Sequence, residues 1–138
     1  MALPARLFCD PSFFYACLDP DDTNHDRAEE LTANAVASAT TFITTWDIVS
    51  ETVTLVRYRM GFRPALRFLD EIKPNLVIIE YGQDVRDEAE QIFRRRARGH
   101  RLSFCDAISF VVVTTLLDRI QCLAFDRDFR ALGLTVIA

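Results

Sequence analysis

Apolar residues fall in short blocks along this chain, and the polar punctuation between them predicts alternating strands and helices. Residues 3–9 read as a short strand closed by Asp10-Pro11-Ser12. Pro11 suits the first position of a helix, where a missing N–H costs nothing, and residues 12–18 follow as a short apolar helix. Residues 19–24 are a loop by composition. Asn24 is placed to cap a helix running from His25 to about Ala37. The β-branched and aromatic run 40–45 predicts a second strand. Residues 46–60 follow as a helix with Ile48, Val49, Val53, Leu55 and Val56 on one broad face, stopped by Gly61. Pro64 is expected to open another helix that ends before Pro74. Residues 76–79 are apolar without alternation, the pattern of a strand covered on both sides. A charged helix over 83–98 closes at Gly99, and a nearly all-apolar helix spans 103–117. Residues 121–125 and 134–137 are the last two strands.

Short strands separated by helices imply parallel pairing through right-handed crossovers. The expected fold class is therefore α/β, one domain over residues 1–138 with a central, mainly parallel sheet of about five strands. The first strand is wholly apolar and should lie centrally. In open sheets of this kind, sites form outside the carboxyl ends of the strands.

Composition narrows the picture. At 138 residues, half of them hydrophobic and 11 of them phenylalanine, the chain can bury one substantial core and is not disordered. Cys9, Cys17, Cys105 and Cys122 sit in apolar runs without a C-x-x-C pair, which reads as buried reduced thiols in a cytoplasmic protein. Residues 1–8 do not form a signal peptide, and no apolar run approaches the roughly 18 residues of a membrane span.

The chemistry lies in acids set at the ends of apolar elements. Asp10 closes the first strand, Glu51 follows Ser50 in the helix after the second, Asp106 lies in the first turn of the apolar helix, and Asp126 and Asp128 follow the next strand. Each has an ordinary explanation alone. Asp10 and Asp126 can cap helices, Glu51 can be a solvated helix-face acid, and Ser103-x-x-Asp106 matches a capping box. Yet residues 107–113 leave little polar surface for a solvated acid at 106. Several acids converging on one sheet edge would repel one another unless a cation is present. All-oxygen ligands suit Mg²⁺ or Mn²⁺ rather than zinc, and such a cluster could activate a water against a phosphodiester.

The net charge of −4 neither advertises nor excludes nucleic-acid binding. Arg94, Arg95, Arg96, Arg98 and Arg101 form the one basic cluster. A cationic helix end complementing the helix dipole is the plain reading; an RNA-backbone contact just before the Asp106 helix is the functional one. Two other enzyme classes place an aspartate after a first strand. Haloacid-dehalogenase-type phosphatases need a second Asp where Ser12 stands, and receiver domains need a late lysine where the single lysine is Lys73.

The order Phe8-Cys9-Asp10-Pro11-Ser12-Phe13, then Glu51, then Ser103-Phe104-Cys105-Asp106-Ala107, then Ala124-Phe125-Asp126-Arg127-Asp128-Phe129, resembles the PIN domain, above all the VapC-type toxin nucleases of type II toxin–antitoxin systems. The resemblance spans nearly the whole chain, and His25 in Asn24-His25-Asp26-Arg27-Ala28 resembles a recurrent structural feature of that group. It implies a three-layer α/β/α fold and a Mg²⁺- or Mn²⁺-dependent endoribonuclease. It carries over Asp10, Glu51, Asp106 and Asp126 as catalytic, metal-coordinating acids, with Asp128 as a fifth and with Ser12 and Ser103 supporting them by hydrogen bonds. It further implies an RNA substrate, a cognate antitoxin and a homodimer. Phe13, Phe14 and Tyr15 are candidates for docking either protein, although core packing explains most of these aromatics. The rival reading is a PIN-fold module that binds RNA or protein without cutting.

Overall fold

In the computed structural model, which describes residues 2–138, three successive residues of the first strand, β1 (Arg6–Cys9), are fully buried: Leu7, Phe8 and Cys9. Alternate side chains of a strand point to opposite faces, so both faces of β1 are covered. The other strands are β2 (Thr41–Thr45), β3 (Leu76–Ile79), β4 (Cys122–Leu123) and β5 (Val136–Ile137). They form one sheet in the order β3-β2-β1-β4-β5, every neighbouring pair parallel. The centre thus goes to β1, as its apolar sequence predicts. The Thr44 hydroxyl donates to the Cys9 carbonyl at 3.0 Å and ties the end of β1 to β2.

The helices are α1 (Pro11–Leu18), α2 (His25–Ala37), α3 (Trp46–Met60), α4 (Phe62–Arg67), α5 (Gln83–Arg96), α6 (Phe104–Leu116) and the short α7 (Arg127–Ala131). They pack in two groups, α1 with α2 and α3, α3 with α4, and α5 with α6, giving the α/β/α arrangement. His25 serves the first group. Its Nδ1 lies 2.7 Å from the Ala16 carbonyl and its Nε2 3.2 Å from Glu29, which joins α2 to α1. The backbone hydrogen bond and the Glu29 carboxylate raise its pKa.

Several elements differ from the pattern along the chain. β3 is an edge strand, with Val77 44% exposed, rather than one covered on both faces; an unbroken apolar run does not reveal which strand ends a sheet. α4 begins at Phe62, with Pro64 inside its first turn, then widens into a π-helical turn over Phe68–Ile72. Pro74 falls in a 3₁₀ turn, Lys73–Asn75, at an early position that needs no N–H donor. β4 and β5 keep only two residues each, and past the end of β4 the Phe125 N–H donates to the Ser12 hydroxyl instead of to a strand. α5 stops at Arg96. Gly61 ends α3 at φ +104°, a backbone conformation that costs other residues strain.

Phe13, Phe14 and Tyr15 are buried, and Phe14 meets Phe68 edge-on with ring centroids 5.3 Å apart. They are core, not a docking surface. Phe14→Ala should therefore cost about 3–5 kcal/mol in urea unfolding; a loss below about 1 kcal/mol, typical of surface changes, would contradict the packing described.

Candidate functional site

Because all strands run parallel, the residues that follow β1, β2, β3 and β4 emerge on one edge of the sheet. A cleft of about 220 Å³ opens there, lined by Asp10, Ser12, Glu51, Arg101, Ser103, Asp106 and Asp126, with Pro11 and Leu55. Four acids from four distant segments thus meet at one place. Asp128 does not join them. It lines a neighbouring cavity of about 330 Å³ together with Arg95, Arg96, His100 and Leu102.

Local structure explains how each acid is held. Asp10 caps α1: its Oδ2 accepts from the Ser12 N–H at 3.2 Å and from the Ser12 hydroxyl at 2.7 Å. The same hydroxyl accepts from the Phe125 N–H at 2.9 Å. One serine therefore fixes the Asp10 carboxylate to the loop that carries Asp126. Asp106 forms the expected capping box: its Oδ2 accepts from the Ser103 N–H at 3.2 Å, and its own N–H donates to Ser103 Oγ at 3.0 Å. Asp126 caps α7, with Oδ1 accepting from the Asp128 N–H at 2.9 Å. Capping thus uses one oxygen of each aspartate. Among the described residues, the other oxygens, Asp10 Oδ1, Asp106 Oδ1 and Asp126 Oδ2, receive no hydrogen bond.

Asp10 and Asp106 are buried (4% and 8% exposed), whereas Glu51 and Asp126 are exposed at the rim. Burial pushes the Asp10 carboxyl up to about 7, helped by the charges of Asp106 and Asp126 and opposed by its Ser12 hydrogen bonds. Asp106 rises to about 6, again chiefly through burial, with Asp126 and Glu51 adding to it and the Ser103 hydrogen bonds opposing. Among the described residues, no lysine or arginine forms an ion pair with any of the four acids.

This donor set fits a hard divalent cation in its chemistry: oxygen only, surplus negative charge, and free lone pairs on three aspartates. Among the described residues, no three acidic, histidine or cysteine groups are drawn in tightly enough to close around an ion as they stand. Cys105, beside Glu51 and partly buried, is not a donor candidate; burial and the Glu51 charge hold its thiol well above the usual range.

The basic cluster splits between roles. Arg96 donates to the Leu132 carbonyl at 3.3 Å and lies 5.2 Å from the Phe110 ring centroid, so it is partly structural. Arg95 reaches Glu88 at 3.5 Å. Arg94 and Arg98 are exposed and line neither cavity. Arg101 alone of the five lines the acidic cleft. Sequence reasoning missed two contributors there. Thr44 anchors the end of β1, and Leu55, one turn beyond Glu51 on α3, was assigned to the core face alone.

Residues 7–134 match the family model described as PIN domain. No curated protein matches the chain. Among solved structures, it is similar to VapC20 of Mycobacterium tuberculosis, described as a sarcin–ricin loop cleaving toxin. The TM-score is 0.81 at 27% identity, covering 94% of this chain and 96% of that one. The fold is also shared with FitAcB from Neisseria gonorrhoeae, with a TM-score of 0.65 at 13% identity and 96% of each chain covered.

The raised carboxyls have a measurable consequence in metal-free protein. Unfolded aspartates titrate near pH 4, so between about pH 4 and 7 the folded state binds more protons than the unfolded one. Stability should fall as pH rises through that window and level off above about 7. Asp10→Asn should flatten much of this fall and raise stability at pH 8. Urea unfolding with EDTA at pH 5 and 8 checks it; an unaltered pH slope in the variant would refute the burial argument.

Proposed function

The chain belongs to the PIN-domain family, and from that premise we propose that it is a metal-dependent endoribonuclease that hydrolyses RNA phosphodiester bonds, the toxin of a toxin–antitoxin pair. The observation that carries this reading is the cleft itself, where Asp10, Glu51, Asp106 and Asp126 converge and three aspartates each keep one oxygen clear of their capping duty. The likeness to a toxin described as cleaving an RNA loop supports the substrate class.

Asp10, Glu51, Asp106 and Asp126 would hold Mg²⁺ or Mn²⁺. A cation bound there would supply charge to activate a water and to offset the negative charge of the phosphodiester. The chain's own residues do the rest. Ser12 and Ser103 fix the orientation of the two buried carboxylates. The rim acids, Glu51 and Asp126, can adjust to a ligand because they are exposed. Arg101 is placed to meet a phosphate entering the cleft, and Arg95 flanks it from the adjoining cavity. No side-chain nucleophile is needed. Asp128, in that adjoining cavity, supports the Asp126 turn and is not assigned to the ion.

A reducing, cytoplasmic location fits the four free thiols, and among the described residues no helix is long and apolar enough to cross a membrane. A cognate antitoxin and a homodimer belong to the same reading. The surface that supports them is the exposed groove bearing Tyr58, Phe62 and Leu66 on α3 and α4, not the buried aromatics of α1.

Purified protein should cut a mixed RNA pool with Mg²⁺ or Mn²⁺ but not with EDTA, and Asp106→Asn should lower the rate by at least about a hundredfold, as for loss of a group that supports the ion. Equal cutting by wild type and variant would refute the site assignment. Inert protein that still binds RNA, with no thermal stabilisation by either metal, would favour the non-cutting module. Replacing Arg94, Arg95 and Arg96 by alanine should weaken RNA binding and reduce the slope of log affinity against log salt by about one per lost phosphate contact. Unchanged affinity across the salt titration would remove these arginines from the interface.

A further inference from the structure

The acidic cleft occupies only part of the sheet's carboxyl edge. The part above β2 and β3 holds a second cavity, of about 420 Å³, lined by Trp46, Asp47, Ile79, Glu80, Tyr81 and Arg86 among others. Trp46 is the first residue of α3, directly after β2, and it is 60% exposed. Neighbouring strands lie about 4.8 Å apart, so Trp46 emerges one strand away from the end of β1, where Asp10 sits. Glu51, on the acidic cleft, lies five residues further along α3, about 7.5 Å at the helical rise.

We propose that Trp46 is a stacking platform for an unpaired base of single-stranded RNA whose backbone runs into the acidic cleft. This deepens the nuclease reading and rests on it. The cavity has the chemistry of base recognition. The Tyr81 hydroxyl donates to Asp47 Oδ2, which fixes the tyrosine ring as one wall. The Arg86 guanidinium lies 5.7 Å from the Tyr81 ring centroid, and the Lys73 ammonium 5.9 Å from that of Trp46. An exposed indole beside a half-buried tyrosine ring, each flanked by a cation, suits a stacked base with its phosphates alongside. Two acids, Asp47 and Glu80, line the same cavity, so it is not a phosphate pocket; the ring faces carry the recognition. A protein partner is the weaker occupant, because the exposed apolar residues suited to protein contact, Tyr58, Phe62 and Leu66, lie along α3 and α4 in a separate groove.

Trp46 is the single tryptophan of the chain, so its fluorescence reports on this site alone. In the full-length Asp106→Asn background, which keeps RNA intact, a mixed-sequence single-stranded RNA decamer should quench the emission saturably. An abasic decamer of equal charge should not. Trp46→Ala should weaken binding of labelled RNA about tenfold by anisotropy, in the range of one lost base stack, while Trp46→Phe should stay within about threefold of the parent. RNA binding seen by anisotropy without quenching, and equal in Trp46→Ala, would overturn the stacking site and leave the nuclease reading intact. No binding of any RNA by anisotropy would overturn both. An emission change that follows protein concentration without RNA would assign the surface to a second copy of the chain and likewise overturn the proposal.

Discussion

Two aspartates held nearly out of water within reach of each other's charge set the terms for the rest of this structure. A carboxyl in that position either takes up a proton or needs a cation, since low-dielectric surroundings penalise its charge and neighbouring acids add to the penalty. Asp10 and Asp106 stay where they are because one oxygen of each is bound into a helix cap. The caps partly offset the penalty, and they fix which oxygen faces the cleft. Helix capping and the proposed cation binding are therefore not competing explanations for these residues. The cap would position the carboxylate for the ion, one oxygen of each serving the helix and the other left clear of it.

Much of this was visible in the chain. The strand–helix alternation, the Ser103–Asp106 capping box and the acids at strand ends all follow from local chemistry. Local chemistry is what sequence reports. Strand ends were less legible. The apolar run 121–125 gives no sign that only Cys122 and Leu123 pair, or that the Phe125 N–H is claimed by Ser12, a residue 113 positions earlier. Likewise an unbroken apolar run marked β3 as covered, although its place at the edge leaves it half-exposed. Position within a sheet is a property of the whole topology.

The site divides in the same way. Asp10, Glu51, Asp106 and Asp126 were identified from their order, and they line one cleft. Asp128 was grouped with them because it lies two residues from Asp126, yet the first turn of α7 turns it into the cavity beside Arg95 and Arg96. The arginines at 94–101 form a single run in sequence but separate environments in space: Arg94 and Arg98 in solvent, Arg95 against Glu88, Arg96 against Phe110 and Leu132, and Arg101 in the acidic cleft. In sequence, Trp46 is one more apolar residue at the start of an amphipathic helix. Its exposure comes from standing at the first position of α3, above the sheet edge, which periodicity does not distinguish from the buried positions that follow.

The bond between the Ser12 hydroxyl and the Phe125 N–H has a further consequence, in time rather than in space. It joins two segments at opposite ends of the chain, and β1 gains its β4 neighbour only when that late segment is in place. Parallel pairings of such long sequence separation form slowly, after local helices. During synthesis, a nascent chain that has emerged only through α6 already contains Asp10, Glu51 and Asp106, but not the strand and turn that set Asp126 beside them. The cleft is thus assembled last.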